Sequence, residues 1–405
     1  MSPANNIESA VNGLGQAVNS IESAGRSVLD RLGVAEDPLV SADPVALLRS
    51  LAAAGGSLAK NPAGTAAAGG RLAIGLAAAV RAAGARAVGI DEPGPMSPAR
   101  SDKRFNDPAF TDNPAYYLLE QQYLLSSQMV DELLEAAELE ATEEIKARFA
   151  ARFIVDALSP TNTLAGNPAA LRRAFDTGGK SVFRGAKNML DDLVNNGGWP
   201  SQVDSTGFEV GVNMAATPGS VVYRSDLIEL IQYEPADKQV HSVPLLFCPP
   251  WINKYYIMDL APGRSLIEWA VQHGHTCFAI SYRNPDATMS DLTFQDYLFK
   301  GPLDAVRVVR EITGASEVNT LSVCLGGTLT AMALAHNASV GDSSIKSATF
   351  LNTLTDFSTP GVLGVFTDEP TIAGLEKQME KEGYLDSAKM AHTFDALRAN
   401  DLIFS

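Results

Sequence analysis

The second half of the chain carries apolar segments at strand length. Residues 221–223 and 227–233 read as short strands, with Tyr233-Glu234-Pro235 as a stop. Apolar runs follow at 243–248, 276–282, 318–323 and 344–351. Between them, residues 264–273, 292–313 and 328–337 have helical patterning. Apolar strands alternating with helices predict an α/β fold, with a mostly parallel sheet covered on both faces.

The first half predicts helices. Asn113-Pro114 opens one that runs through Tyr117, Leu118, Gln121, Leu125, Met129 and Leu133 toward Leu139. Asparagine caps the free N–H groups of a helix start, and proline fits its first position. Residues 144–158 form a second segment, ended by Ser159-Pro160, and Asn167-Pro168 opens a third that ends near Gly178-Gly179. These predict a helical domain over 101–200. The α/β core would occupy 201–354, and 355–405 would begin a cap subdomain.

Residues 1–100 differ from the rest, being rich in Ala and Gly and partly helical or disordered by pattern. Ile7, Val11, Leu14, Val18, Ile21, Val28 and Leu32 lie at spacings of one helix face. Such a stripe fits a helix docked on the main body, and equally one that adsorbs to a surface or pairs. Asp91-Glu92-Pro93-Gly94-Pro95 reads as a linker.

Charge sharpens this division. Residues 1–100 hold eight basic and eight acidic side chains, so the whole net charge of −16 falls after Arg100. Such a surface repels nucleic acid and anionic membranes. An anionic substrate would need a local positive site, for which Lys254, Arg283 and Arg398 are candidates, although ordinary salt bridges account for them equally well. Three cysteines, Cys248, Cys277 and Cys324, make no disulfide framework and fit a reducing compartment. Met1–Glu8 has no basic stretch followed by an apolar one, so a secretory signal is not expected. Residues 72–90 are apolar, but they contain Arg81 and Arg86 and are mostly Ala and Gly, a poor composition for a membrane span. A cytoplasmic protein is expected, without a metal site or a nucleotide loop.

The candidate chemistry lies at Leu321-Ser322-Val323-Cys324-Leu325-Gly326-Gly327, between a predicted strand and a predicted helix. That is the context of a nucleophile elbow, a tight turn with small residues two before and two after the reactive side chain. Ser322 stands where glycine is usual; Gly326 fits. A helix N-terminus favours the Cys324 thiolate. The plainer alternative is an inert thiol beside a glycine turn. Upstream, a strand ends in Phe247-Cys248-Pro249-Pro250-Trp251, where this fold places a loop that lends an oxyanion N–H. Prolines have none to lend, so the backbone amides of Trp251 and Leu325 are the expected oxyanion hole.

These residues make the chain recognisable. It resembles the class I polyhydroxyalkanoate (poly-beta-hydroxybutyrate) synthases from about Lys103 onward. The matching segments include Phe105-Asn-Asp-Pro108, the run from Arg152 to Asn162, Asn167-Pro-Ala-Ala-Leu-Arg-Arg173 and Phe208-Glu-Val-Gly211. Pro249-Pro-Trp-Ile-Asn-Lys-Tyr-Tyr256, Gly274-His-Thr276, Tyr282-Arg-Asn-Pro-Asp286, Cys324-Leu-Gly-Gly-Thr328 and the stretch from Thr393 through Leu397-Arg-Ala-Asn-Asp-Leu402 complete the set. The residue after Pro-Pro is often Cys in the family; here it is Trp251.

The resemblance implies an α/β-hydrolase-type sheet and a cysteine acyltransferase that polymerises 3-hydroxyacyl-CoA. Coenzyme A would be the leaving group, and no retained cofactor is expected. The implied partners are hydroxyacyl-CoA, the polyester chain or granule surface, and a second copy in a homodimer. In this fold the acid and the histidine follow the nucleophile. Only His336 and His392 follow Cys324, and neither falls where the base is expected. Asp356, Asp368 and Glu369 read as cap residues rather than the acid. A C-terminally truncated synthase with weak activity is therefore expected. Two rivals remain: an acyl hydrolase or depolymerase on the same frame, and a catalytically incomplete granule-associated or interaction protein.

Overall fold

In a computed structural model of the protein, residues 44–196 and 198–404 are described. The stripe from Ile7 to Leu32 lies outside them. The chain divides into two compact units: 203–359 with 377–387, and the remainder.

The helical unit is built from α1 (Pro44–Leu58), α2 (Pro62–Ala87), α3 (Pro114–Ala136), α4 (Ala141–Ala157), α5 (Pro168–Asp176) and α6 (Lys180–Asn195). Three begin with an Asn-Pro pair. The side chains of Asn61, Asn113 and Asn167 accept from the amides of Gly64, Ala115 and Ala170. Helix α2 packs along α3 through small residues. Ala79 and Ala82 are fully buried, and a methyl group on Gly75 would meet the Leu125 side chain at 2.5 Å. Among the described residues, α2 is the one helix long and apolar enough to cross a membrane by length and composition, with a mean hydropathy of 1.3. The expected linker at 91–95 is held against this pair. Asp91 bonds Arg86, and a methyl on Gly94 would overlap the Tyr117 hydroxyl.

The family segments meet inside this unit. Arg104 donates to Asp102, to Tyr123 and to Asp156, all largely buried. Asp107 pairs with Arg172, and the Asn162 amide donates to the Asp156 carbonyl. These motif residues therefore hold helices together.

The second unit is a six-stranded sheet in the order β1-β2-β4-β3-β5-β6. Its strands are β1 (Gly219–Arg224), β2 (Ile228–Tyr233), β3 (Leu245–Cys248), β4 (Cys277–Tyr282), β5 (Val318–Val323) and β6 (Ile345–Leu351). The first two are antiparallel to each other, and β2 is antiparallel to β4; the last four run parallel. Each apolar run of the sequence became a strand. Leu230, Leu246, Phe247, Phe278 and Ile280 are buried completely. Helix α7 (Leu266–Gln272) begins where the Ser265 hydroxyl accepts from the Glu268 amide.

One expected helix is corrected. Residues 292–313 do not form a continuous helix: Phe294–Leu298 gives way to an irregular turn at Gly301-Pro302, and α8 (Asp304–Thr313) resumes beyond it. Proline removes an intrahelical donor and its ring clashes with the preceding turn. Helix α8 then buries Ala305, Val306, Val308 and Val309 on the sheet and stops at Gly314, whose φ of 70° suits glycine. Helix α9 (Leu325–Val340) follows β5 directly.

Candidate active site

Strand β5 sits between β3 and β6. It delivers Cys324 at its C-terminal end, where open α/β sheets place their sites. Cys324 has φ 52° and ψ −124°, outside the comfortable region for a side-chain-bearing residue. Its amide donates to the Leu351 carbonyl at 2.9 Å, and its own carbonyl accepts from Gly327 and Thr328 at 2.9 and 3.2 Å. The backbone thus reverses within one residue and leaves the Cys324 side chain exposed.

The small residues around it have steric reasons. A methyl on Gly326 would lie 2.2 Å from the Cys248 carbonyl oxygen and 2.6 Å from that of Pro249. A methyl on Gly327 would overlap the Thr353 hydroxyl at 2.0 Å. Helix α9 therefore starts in backbone contact with the exit of β3. That exit carries Pro249, Pro250 and Trp251. Leu325 is the first residue of α9, so its N–H belongs to the group a helix leaves unpaired. Neither the Leu325 nor the Trp251 amide donates to another described residue. The Trp251 ring packs on Phe294 and Tyr297, with centroids 5.5 Å from each.

The other two thiols are buried. Burial pushes Cys248 up to about 11 and Cys277 up to about 12, so both stay protonated near neutral pH.

Four histidines have ring partners. His336 packs its ring on Phe299, His273 stacks on Trp269, and His241 lies against His275 at 4.7 Å. His392 lies on the helix Ser387–Leu397. Among the described residues, none hydrogen-bonds the Cys324 sulfur. Asp368 pairs with Lys146 at 2.5 Å, and Asp356 caps Ser358. Both therefore have structural partners of their own. Arg283 and Arg398 bond Asp286 and Asp401, while the exposed Lys254 contacts Asn284. No group of three or more metal-ligating side chains occurs among the described residues.

One feature at the turn was not legible in advance. Ser322, which stands where glycine is usual, is fully buried beside Thr330, with their hydroxyl oxygens 2.8 Å apart. The spacing of eight residues was the sole available signal.

Residues 101–270 match the family described as poly-beta-hydroxybutyrate polymerase (PhaC) N-terminus. The poly(3-hydroxyalkanoate) polymerase of Methylorubrum extorquens is 43% identical over 313 residues, 76% of this chain and 52% of its own length. The likeness to curated poly(3-hydroxyalkanoate) polymerases extends over three quarters of this chain. The poly(3-hydroxyalkanoate) polymerase subunit PhaC of Cupriavidus necator is 41% identical over 309 residues, 75% of this chain and 52% of its own. The chain thus spans about half the length of the curated polymerases it matches. A fungal esterase from Rhizomucor miehei superposes on 50% of this chain and 67% of its own, with 20% identity and a TM-score of 0.30. The α/β-hydrolase-type fold is carried by the strand order and by the turn at Cys324.

Proposed function

We propose that the chain is the acyl-accepting part of a polyhydroxyalkanoate polymerase. The observation that carries this reading is the exposed Cys324 thiol in a strained turn between β5 and α9. The Cys324 sulfur, as thiolate, attacks the carbonyl carbon of a 3-hydroxyacyl-CoA thioester. The Leu325 and Trp251 amides hold the oxyanion. The bond to the coenzyme A sulfur breaks, and coenzyme A leaves as a thiol after taking up a proton. A hydroxyl at the end of the growing chain then attacks the acyl-cysteine. That step forms an ester, transfers the hydroxyl proton and returns the Cys324 thiol. Thioester exchange is nearly balanced in energy, so a thiol serves both directions. No retained cofactor takes part.

The surface around the turn supports an aliphatic polyester product. Leu351 accepts from the Cys324 amide, Leu354 accepts from the Thr328 hydroxyl, and both side chains are exposed. A polyester granule surface in the cytoplasm is the corresponding location, and a second copy of the chain the corresponding partner. The polymerase relatives favour this reading over a hydrolase. The test supplies 3-hydroxybutyryl-CoA and follows free coenzyme A together with polymer. Coenzyme A release that requires Cys324 supports the proposal. Release of free hydroxy acid in proportion to coenzyme A would instead assign a hydrolase.

A further inference from the structure

The turn at Cys324 is braced by a hydroxyl relay behind it. Ser322 and Thr330 are both 0% exposed. The Thr330 hydroxyl donates to the Gly326 carbonyl at 2.9 Å. That commits its only proton, so in the 2.8 Å contact Ser322 is the donor and Thr330 the acceptor. Cys248, which pairs with Ser322 across β3 and β5, is buried as well. The relay therefore joins the end of β5, through Ser322, to the first turns of α9, through Gly326 and Thr330, and the end of β3 is held to both by the Cys248–Ser322 strand pairing and the close approach at Gly326. Two of these segments carry the expected oxyanion donors. Leu325 opens α9, and Trp251 lies three residues beyond Cys248. Gly326 makes the contact a close one, since a methyl there would strike the Cys248 and Pro249 carbonyls.

We propose that Ser322 and Thr330 are positioning residues. Their relay holds Cys324 in its strained backbone geometry and fixes the spacing between the Leu325 and Trp251 amides. This rests on Cys324 being the nucleophile. It also explains why serine serves at a position where this turn usually has glycine. The side chain is small enough for the turn, and its hydroxyl finds a buried partner eight residues later. A lone buried hydroxyl would be costly, whereas a matched pair is not.

The experiment measures the alkylation rate of each cysteine with iodoacetamide between pH 6 and 9, by peptide mapping. It uses the whole chain and its Ser322→Ala, Thr330→Val and Thr330→Ser variants, well below their melting temperatures. Thr330→Val strands the Ser322 proton and should slow Cys324 by about tenfold across this pH range. Ser322→Ala should slow it by about threefold. Thr330→Ser keeps the relay and should stay within about twofold of the parent. A purely structural role would act differently: loss of stability would speed labelling of the buried Cys248 and Cys277 without slowing Cys324. Unchanged Cys324 rates in Ser322→Ala and Thr330→Val overturn the proposal. If Thr330→Val does not fold, Ser322→Ala against Thr330→Ser decides. The parent separates the two ideas: Cys324 reacting no faster than Cys248 and Cys277 would remove the nucleophile reading itself.

Discussion

A methyl group on Gly326 would lie 2.2 Å from the carbonyl oxygen of Cys248. The obstructing atom is backbone at the end of β3, and it cannot rotate away. Gly326→Ala should therefore push α9 off the sheet and destabilise the chain by about 3 kcal/mol. Thermal unfolding checks this. A variant that melts with the parent would show that the close approach of α9 to β3 is not real.

The strain at Cys324 makes an opposite prediction. A non-glycine residue in such a conformation costs about 1–3 kcal/mol. Cys324→Gly should remove that cost in the folded state, offset in part by greater freedom in the unfolded chain. We expect it to melt above Cys324→Ala while lacking acylation. A lower melting point for the glycine variant would argue against a strained turn.

Much of this arrangement was legible in the sequence, for local reasons. The six strands are short apolar runs, and the elbow is a strand, a small residue, a thiol and a glycine pair within seven positions. The interrupted helix at 292–313 was misread because Leu298, Ala305 and Val309 keep apolar spacing across the break. Pro302 was the overlooked signal. The Arg104–Asp156 and Asp107–Arg172 pairs were not legible because they join residues 52 and 65 positions apart. Nor was the packing of α2, since alanine and glycine give too little hydropathy contrast to mark a buried face.

Glu120 provides a pH test in the helical unit. Burial raises its carboxyl to about 7, above the 4.5 of an exposed glutamate. The folded state thus holds the proton more tightly than the unfolded state. Its contribution to stability is full below about pH 4.5 and is lost as pH rises through about 7. Glu120→Gln removes the charge that burial disfavours. At pH 8 it should be more stable than the parent by on the order of 1 kcal/mol, with the gap narrowing at pH 5. Melting curves at the two pH values check the sign.

Arg104 tests whether the family segments around it are structural. Its guanidinium neutralises Asp102 and Asp156 in a largely buried cluster. Arg104→Ala leaves Asp102 without its ion-pair partner and Asp156 with only the more exposed Arg152, and should cost about 3 kcal/mol. Insoluble expression or a large loss in denaturant midpoint is expected. Near-parental stability would show that the cluster is not needed.

The central claim is that Cys324 carries the acyl group. Its most direct test is mass spectrometry of the chain after brief incubation with 3-hydroxybutyryl-CoA, with peptide mapping of the adduct. The account predicts a hydroxybutyryl group on the Cys324 peptide, matched by released coenzyme A, with both lost in Cys324→Ala. An adduct on Cys248 or Cys277, or coenzyme A release that persists in Cys324→Ala, would contradict it.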